Sequence, residues 1–367
     1  MTRVALVSPY ALSAFGGVQE QVLAMSRELS RRGAAVLVVA PDHADVTVYD
    51  TPARIERLGR RWSVPANGSR APLALSPFAA HRAREVVSAF RPDVIHFHEP
   101  FAPFLGWYVV RAHAYAAVAT FHRSGDGPAL RLTRPVLARL ARGLDVSAVV
   151  SPAAAITLES VVPLHPVVLY NGFEVERFIE VPREVPDVVT VVCVGRLEER
   201  KGVATVVDAV RRHNDRRGDR WRLVVVGDGP QRDALAARVG DDDAITFLGA
   251  VDDVVKRTWL RRASVVVAAA TRGESFGLVI LEAMASEVPV VASDIPGYRE
   301  AAAGFATLFA PGNADALERA IVTALSTVEP DRVAAARSHA QGWSMSSLVD
   351  RYEELYDRAR GIFRATR

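Results

Sequence analysis

The sequence predicts an α/β protein of two Rossmann-like domains facing a central cleft. Short apolar runs alternate with longer stretches whose apolar residues recur at helical spacing. That is the pattern of parallel strands buried on both faces by helices. The rhythm occurs twice in 367 residues. Between the two series, residues 170–186 carry Asn171-Gly172, Pro182 and Pro186, the composition of a connection. The expected domains are 1–170 and 171–345, with ligands at the carboxyl ends of the strands.

Each element has a local reason. Val4 to Ser8 reads as a buried strand, Gly16-Gly17 as a break, and Val18 to Arg31 as an amphipathic helix; Val36 to Ala40 is a second strand, stopped by Pro41. Asp42 to Pro77 is polar, proline-rich and weakly periodic. A helix is expected from Pro77 to Phe90, then strands at Val94 to Phe97, Ala117 to Phe121 and Val146 to Val150. The second series has strands at Thr190 to Val194, Leu223 to Val226, Ile245 to Leu248, Val265 to Ala268 and Val288 to Ser293. Its helices are Val203 to His213 and Leu278 to Ala285, with a loop at Gly195 to Gly202. A last helix, Met345 to Phe363, carries Leu348, Tyr352, Leu355 and Tyr356 on one stripe and must dock on something.

Composition narrows the function. Half of the residues are hydrophobic, yet no run approaches the eighteen uncharged apolar residues of a spanning helix. The N-terminus lacks the small-residue cleavage pattern of a leader. A single cysteine, Cys193, excludes an intrachain disulfide framework and a cysteine-based zinc cluster, and the expected compartment is the cytoplasm. Net charge is only +3, and the arginines are scattered rather than clustered, so nucleic-acid binding is not expected. Lysine occurs only at positions 201 and 256, which makes Lys201 noticeable.

Several residues stand where chemistry occurs in such folds. Gly16 and Gly17 lie between the first strand and helix, either as a plain tight turn or to admit an anion to backbone N–H groups. The dinucleotide fingerprint and the P-loop pattern are both absent. His122 follows a strand, as do His96 and His98 with Glu99; two of the three histidines could simply satisfy local backbone groups. A zinc site would need ligands from separate loops, and no metal is expected. Arg196 and Lys201 bracket a loop between strand and helix, offering a fork and a point charge to a diphosphate, or forming a solvated charged loop. Glu274 precedes a helix that carries Glu282, and Gly273 and Gly277 expose backbone donors nearby. A carboxylate pair can perform hydrolysis; at a helix entrance that favours phosphate, binding a sugar and a ribose suits it better. Asp241-Asp242-Asp243 and Gly227-Asp228-Gly229 read as turns.

Together, Gly16-Gly17, His122, Gly195-Arg196, Arg200-Lys201-Gly202 and the Glu274 and Glu282 pair resemble the retaining glycosyltransferases of family 4, over nearly the whole chain. GGVQEQV, HFHEPFAP, ATFHRSG, YNGFEVERF, GRLEERKG and GESFGLVILEAMA are similar to segments of the members that move mannose from GDP-mannose to phosphatidylinositol. The resemblance implies the GT-B fold, with helix 346–367 crossing back onto the N-terminal domain after Trp343-Ser344.

It also implies roles. The nucleotide sugar would lie against Gly16, Gly17, Arg196, Lys201, Glu274, Ser275, Phe276, Gly277 and Glu282. Arg196 and Lys201 would hold the diphosphate and stabilise its departure. Glu282 would bind the ribose, and Glu274 the sugar hydroxyls beneath the reacting carbon. His122 would contact the sugar and orient the acceptor, near Tyr10, Gln19 and Asn67. No divalent metal is implied, since side chains and helix N-termini meet the leaving charge. One departure concerns the acceptor. Pro72 and Ala74 stand where basic residues are expected, with Arg70 as a shifted substitute. His81, Arg82 and Arg84 make only a weak basic face for an anionic surface at the inner side of the membrane.

Overall fold

A computed structural model describes residues 2–13, 17–41, 49–58, 62–66, 69–73, 77–102, 114–123, 128–184, 186–274 and 276–366; at 62–66, 69–73, 77 and 128–131 the backbone alone is described. The chain divides into two compact units, Met1–Gly172 with Met345–Arg367, and Phe173–Ser344.

The first unit runs β1 (Arg3–Val7), α1 (Gly17–Arg31), β2 (Ala35–Ala40), β3 (Arg54–Arg57), β4 (Trp62–Ala66), β5 (Ser69–Leu73), α2 (Pro77–Phe90), β6 (Val94–His98), β7 (Ala116–Phe121), α3 (Pro128–Ala141), β8 (Val146–Val149), α4 (Pro152–Val161) and β9 (Val167–Val168). Its main sheet has the order β3-β2-β1-β6-β7-β8-β9, and the pairings are parallel throughout. The polar stretch after Pro41 thus holds β3 and an antiparallel β4-β5 hairpin that periodicity did not reveal. Arg70 lies on β5.

Alternation along the strands sorts side chains to two cores. Ala5, Val7, Ile95 and Phe97 face Ala83, Val87 and Leu140 of α2 and α3. Val4, Leu6, Val94 and Val118 face the other layer, made of α1 and the C-terminal helix Met345–Thr366. The stripe read from sequence is what that helix buries: Leu348, Tyr352, Leu355 and Tyr356 are each at most 8% exposed. Burial of each leucine contributes about 1.5–3 kcal/mol. Arg32 at the end of α1 ties the layer together, reaching Asp350 at 2.6 Å and Glu353 at 2.7 Å.

The second unit continues with α5 (Glu176–Ile179), β10 (Thr190–Val194), α6 (Val203–Arg216), β11 (Arg222–Val226), α7 (Arg232–Val239), β12 (Ile245–Gly249), α8 (Asp253–Arg262), β13 (Val265–Ala268), α9 (Leu278–Ala285), β14 (Val290–Ser293), α10 (Pro296–Ala302), β15 (Thr307–Phe309), α11 (Ala314–Ser326) and α12 (Pro330–Gln341); the C-terminal helix is α13. Its parallel sheet has the order β12-β11-β10-β13-β14-β15. Order reverses between β10 and β13, which brings the loops after those two strands together. In the first unit the reversal lies between β1 and β6.

Candidate active site

In the second unit, β10 ends at Val194 and the chain turns through Gly195, Arg196 and a single 3₁₀ turn, Glu199–Lys201, within the expected loop. Gly202, at φ +66°, starts α6 with its α-carbon against the Ala269 carbonyl. Thr271 N–H donates to the Arg200 carbonyl at 2.8 Å, fastening the loop after β13 to the loop after β10. Gly227 fits because a Cβ there would lie 1.9 Å from the Gly195 carbonyl oxygen. The Gly227-Asp228-Gly229 segment is therefore a close-packed support for the Arg196 loop, beyond a plain turn.

This fastening gathers charge. Glu274 Oε1 accepts from Lys201 Nζ at 2.5 Å and from Arg200 Nη1 at 2.7 Å. Glu198 takes Arg200 Nε at 2.8 Å and Arg196 Nε at 3.2 Å. Three cations thus meet two carboxylates, leaving one net positive charge beside the start of α9. The Glu274 side chain is 13% exposed and Lys201 22%, so their interaction is screened less than that of a surface pair. Gly277 caps α9 at φ +97°, a conformation that suits glycine, and the Tyr298 ring lies 2.6 Å from where a Cβ would project. Phe276 is buried and tilted against Trp343 at 4.6 Å. Glu282, one turn into α9, is held by Lys256 Nζ at 3.0 Å, and Lys256 also reaches Asp253 at 3.3 Å. Burial pushes the Cys193 thiol up to about 12, against the opposing effect of Lys201, so it is no nucleophile.

In the first unit, His122 follows β7 and its Nε2 lies 3.0 Å from Nδ1 of His98. Glu99, at φ +46°, accepts N–H bonds from His122 and, at 2.6 Å, from Arg123. His96 does not satisfy local backbone: its Nδ1 meets Tyr356 Oη at 2.8 Å and its Nε2 meets Thr120 Oγ1 at 2.7 Å. Thr120 Oγ1 in turn meets Tyr352 Oη at 2.8 Å. These polar strand residues follow the period of two, which puts His96 and His98 on the α13 side of β6 and Thr120 on that side of β7. Gln19 is buried with Nε2 donating to the Ala11 carbonyl at 3.3 Å, and Tyr10 bonds through its backbone to Ser8. Burial, reinforced by Glu99, raises the Tyr10 phenol above its usual range despite Arg123. Gly17 opens α1 with free space beside its α-carbon. Gly16, Asn67 and Ser275 lie outside the described residues, as does the Arg70 side chain. Among the described residues no group of three acidic, histidine or cysteine side chains could hold a metal ion.

Burial holds His96 and His122 down at about 3 and His98 well below its ordinary value, so all three are neutral at physiological pH. The linkage sign follows. Below about pH 6.5 an unfolded chain binds protons that folded His96 and His98 refuse. Their depressed values support stability fully above that pH and withdraw it as pH falls toward the folded values. Each is expected to cost up to about 1.4 kcal/mol per pH unit there. Thermal unfolding of the protein should therefore move steadily lower from pH 6.5 to pH 4.5. An unfolding temperature flat over that interval would refute the buried neutral pair.

Residues 15–177 match the model described as Glycosyltransferase Family 4, and residues 188–327 the one described as Glycosyl transferases group 1. The chain is similar to the phosphatidyl-myo-inositol mannosyltransferase of Mycobacterium leprae, 33% identical over 96% of this chain and 97% of that one. It belongs to glycosyltransferase family 4. The chain is also similar to the D-inositol 3-phosphate glycosyltransferase of Corynebacterium diphtheriae, 28% identical over 93% of this chain and 89% of that one. Among solved structures, the Anabaena HepE protein in complex with UDP aligns with a TM-score of 0.68 and 19% identity, covering 97% of this chain and 100% of that one. This family 4 glycosyltransferase accordingly has the GT-B type of fold, with two parallel-sheet Rossmann-like domains.

Sequence reasoning singled out Arg196, Lys201, Glu274 and Glu282; the fold joins the first three in one ionic cluster and gives Glu282 its own partner. It missed Arg200 and Glu198 as members, because their geometry depends on the 3₁₀ turn. It also passed over Lys256, although the scarcity of lysine was a signal.

Proposed function

We propose that this glycosyltransferase moves mannose from GDP-mannose to phosphatidylinositol, with retention of anomeric configuration and without a divalent metal. The observation that carries the reading is the Arg196, Arg200, Lys201 and Glu274 cluster at the switch point of the second sheet. Arg196 and Lys201 bind the donor diphosphate and take up the charge that develops as it departs, the part a metal plays elsewhere. Glu274, already joined to Lys201 and Arg200, accepts from sugar hydroxyls, and Glu282 accepts from the ribose. His122, neutral, faces the sugar and the acceptor.

The mannose and phosphatidylinositol assignments rest on the likeness to the phosphatidyl-myo-inositol mannosyltransferases. No helix among the described residues is long and apolar enough to cross a membrane. Contact with a lipid acceptor would therefore be peripheral, and α2 exposes Phe78, His81 and Arg82, the last tied to Glu56 at 3.2 Å. Such a face attracts an anionic surface by at most about 1 kcal/mol per arginine. Pro72 and Ala74 support a second reading, a different acceptor, soluble inositol phosphate included, because the basic residues expected at that place are missing.

A matrix of donors and acceptors, read by mass spectrometry, decides between them. GDP-, UDP- and ADP-sugars are crossed with phosphatidylinositol, inositol phosphate and simple sugars, with and without excess chelator. The expected product is mannosylated phosphatidylinositol from GDP-mannose, undiminished by chelator. Transfer to inositol phosphate with phosphatidylinositol untouched moves the assignment to the second reading. Turnover abolished by chelator and restored by manganese overturns metal independence.

A further inference from the structure

We propose that Arg200 is a positioning residue for Glu274: it is the stationary cation that holds this carboxylate in place when Lys201 turns to the donor diphosphate. The inference rests on the proposed glycosyl transfer, in which Lys201 meets that diphosphate.

Arg200 is fastened through its backbone and its side chain alike. Its carbonyl accepts from Thr271 N–H at 2.8 Å and from the Thr271 hydroxyl at 3.3 Å. Its guanidinium bonds at two edges: Nε donates to Glu198 Oε2 at 2.8 Å, and Nη1 donates to Glu274 Oε1 at 2.7 Å. Nη1 also reaches the Gly273 carbonyl at 3.2 Å. Gly273, at φ +73°, lies close against this side chain, where a Cβ would stand 3.6 Å from Arg200 Cδ. A guanidinium can only donate, so the direction of each of its bonds is fixed by its chemistry. Glu198 anchors one edge of the fork, and the other edge is presented to Glu274.

Lys201 is held differently. Its ammonium meets Glu274 through Oε1, the same oxygen that takes Arg200. An ammonium on a flexible stem can turn its donors toward a new anion, whereas a planar fork bonded at two edges must break both bonds to move. A donor diphosphate therefore competes with Glu274 for Lys201 and not for Arg200. The Glu274 side chain is largely enclosed, and an enclosed carboxylate that loses its partner is costly. With Arg200 in place the carboxylate keeps a cation through the exchange and stays at the start of α9, where sugar hydroxyls would meet it. Without Arg200 it would depend on Lys201, and binding the diphosphate would strand it.

The test is a double-mutant cycle on the full chain, read as nucleoside-diphosphate affinity by calorimetric titration. GDP, UDP and ADP are tried on the wild type, and the tightest is carried forward. Salt of about 0.15 M limits the effect of merely deleting a distant charge. Arg200→Met should weaken binding about tenfold in the wild-type background, and no more than about threefold once Glu274→Gln has removed the competing carboxylate. Equal losses in the two backgrounds would mean that Arg200 meets the phosphates itself, and they overturn the proposal. Arg200→Met that binds as the wild type does overturns it too. Should Arg200→Met fail to fold, a crystal structure of the wild type with the diphosphate decides. It should show Arg200 still on Glu274 and Lys201 on a phosphate oxygen; Arg200 turned onto the phosphate, with Glu274 released, overturns the assignment. If the wild type binds none of the three nucleotides, the glycosyl-transfer reading falls and the proposal with it.

Discussion

Lys201→Ala is expected to lower kcat/KM for the donor by roughly 30- to 1000-fold, the 2–4 kcal/mol typical of a lost group that meets developing oxyanion charge. The fold itself should tolerate the change. Glu274 retains Arg200 at 2.7 Å after the lysine is removed, so its carboxylate is not stranded. Exposed pairs contribute about 0–1 kcal/mol, and this more enclosed one stands at the upper end of that range, a shift of only a few degrees in unfolding temperature for a domain of this size. Activity should therefore fall far more than stability. Lys201→Arg should recover little, because a planar fork does not replace a compact ammonium packed 2.5 Å from Glu274 Oε1. Steady-state kinetics beside thermal unfolding checks both halves. A variant that loses stability while keeping its turnover would make Lys201 a structural ion-pair partner and remove it from the proposed chemistry.

Gly202→Ala is expected to be the more damaging change for the fold, by at least about 3 kcal/mol. Two costs add at this position. At φ +66° an alanine is strained by about 1–3 kcal/mol. Its Cβ would also stand 2.1 Å from the Ala269 carbonyl oxygen, a backbone atom that cannot swing aside. Relief requires the loop after β13 to move, and with it Glu274. The control is Gly33→Ala, where φ is +85° but no atom lies within 4 Å of the new methyl group. It should show the backbone cost alone, about 1–3 kcal/mol. Calorimetry, which resolves separate transitions in a chain of two units, should show Gly202→Ala destabilising its own unit, relative to wild type, clearly more than Gly33→Ala destabilises the other. Equal losses of stability would mean that the two loops are not in close contact.

Much of the architecture was legible because it is written in short-range periodicity. Buried parallel strands read as apolar runs, and the observed bounds of β10, β13 and α9 are those expected from residues 190–194, 265–268 and 278–285. The stripe on α13 announced a buried face in the same way. Where the local signal is weak, expectation failed. β3 and the β4-β5 hairpin alternate too little and contain too many polar residues and prolines to stand out; their strand form depends on pairing with neighbours.

The candidate site divides along the same line. Residue type and position after a strand were enough to select His122, Arg196, Lys201, Glu274 and Glu282. Partnerships were not legible. Lys201 meets Glu274 from 73 positions away because the sheet order reverses between β10 and β13 and sets their loops side by side. His96 finds Tyr356 across 260 positions because both strand alternation and the docking of α13 direct them to one buried layer. By itself the sequence determined which residues would be strands and helices and which carried usable charge, since those properties need only near neighbours. Tertiary structure decided which charges share a carboxylate and which ring nitrogens share a proton, because hydrogen bonds and ion pairs act over a few ångströms and depend on distance in space.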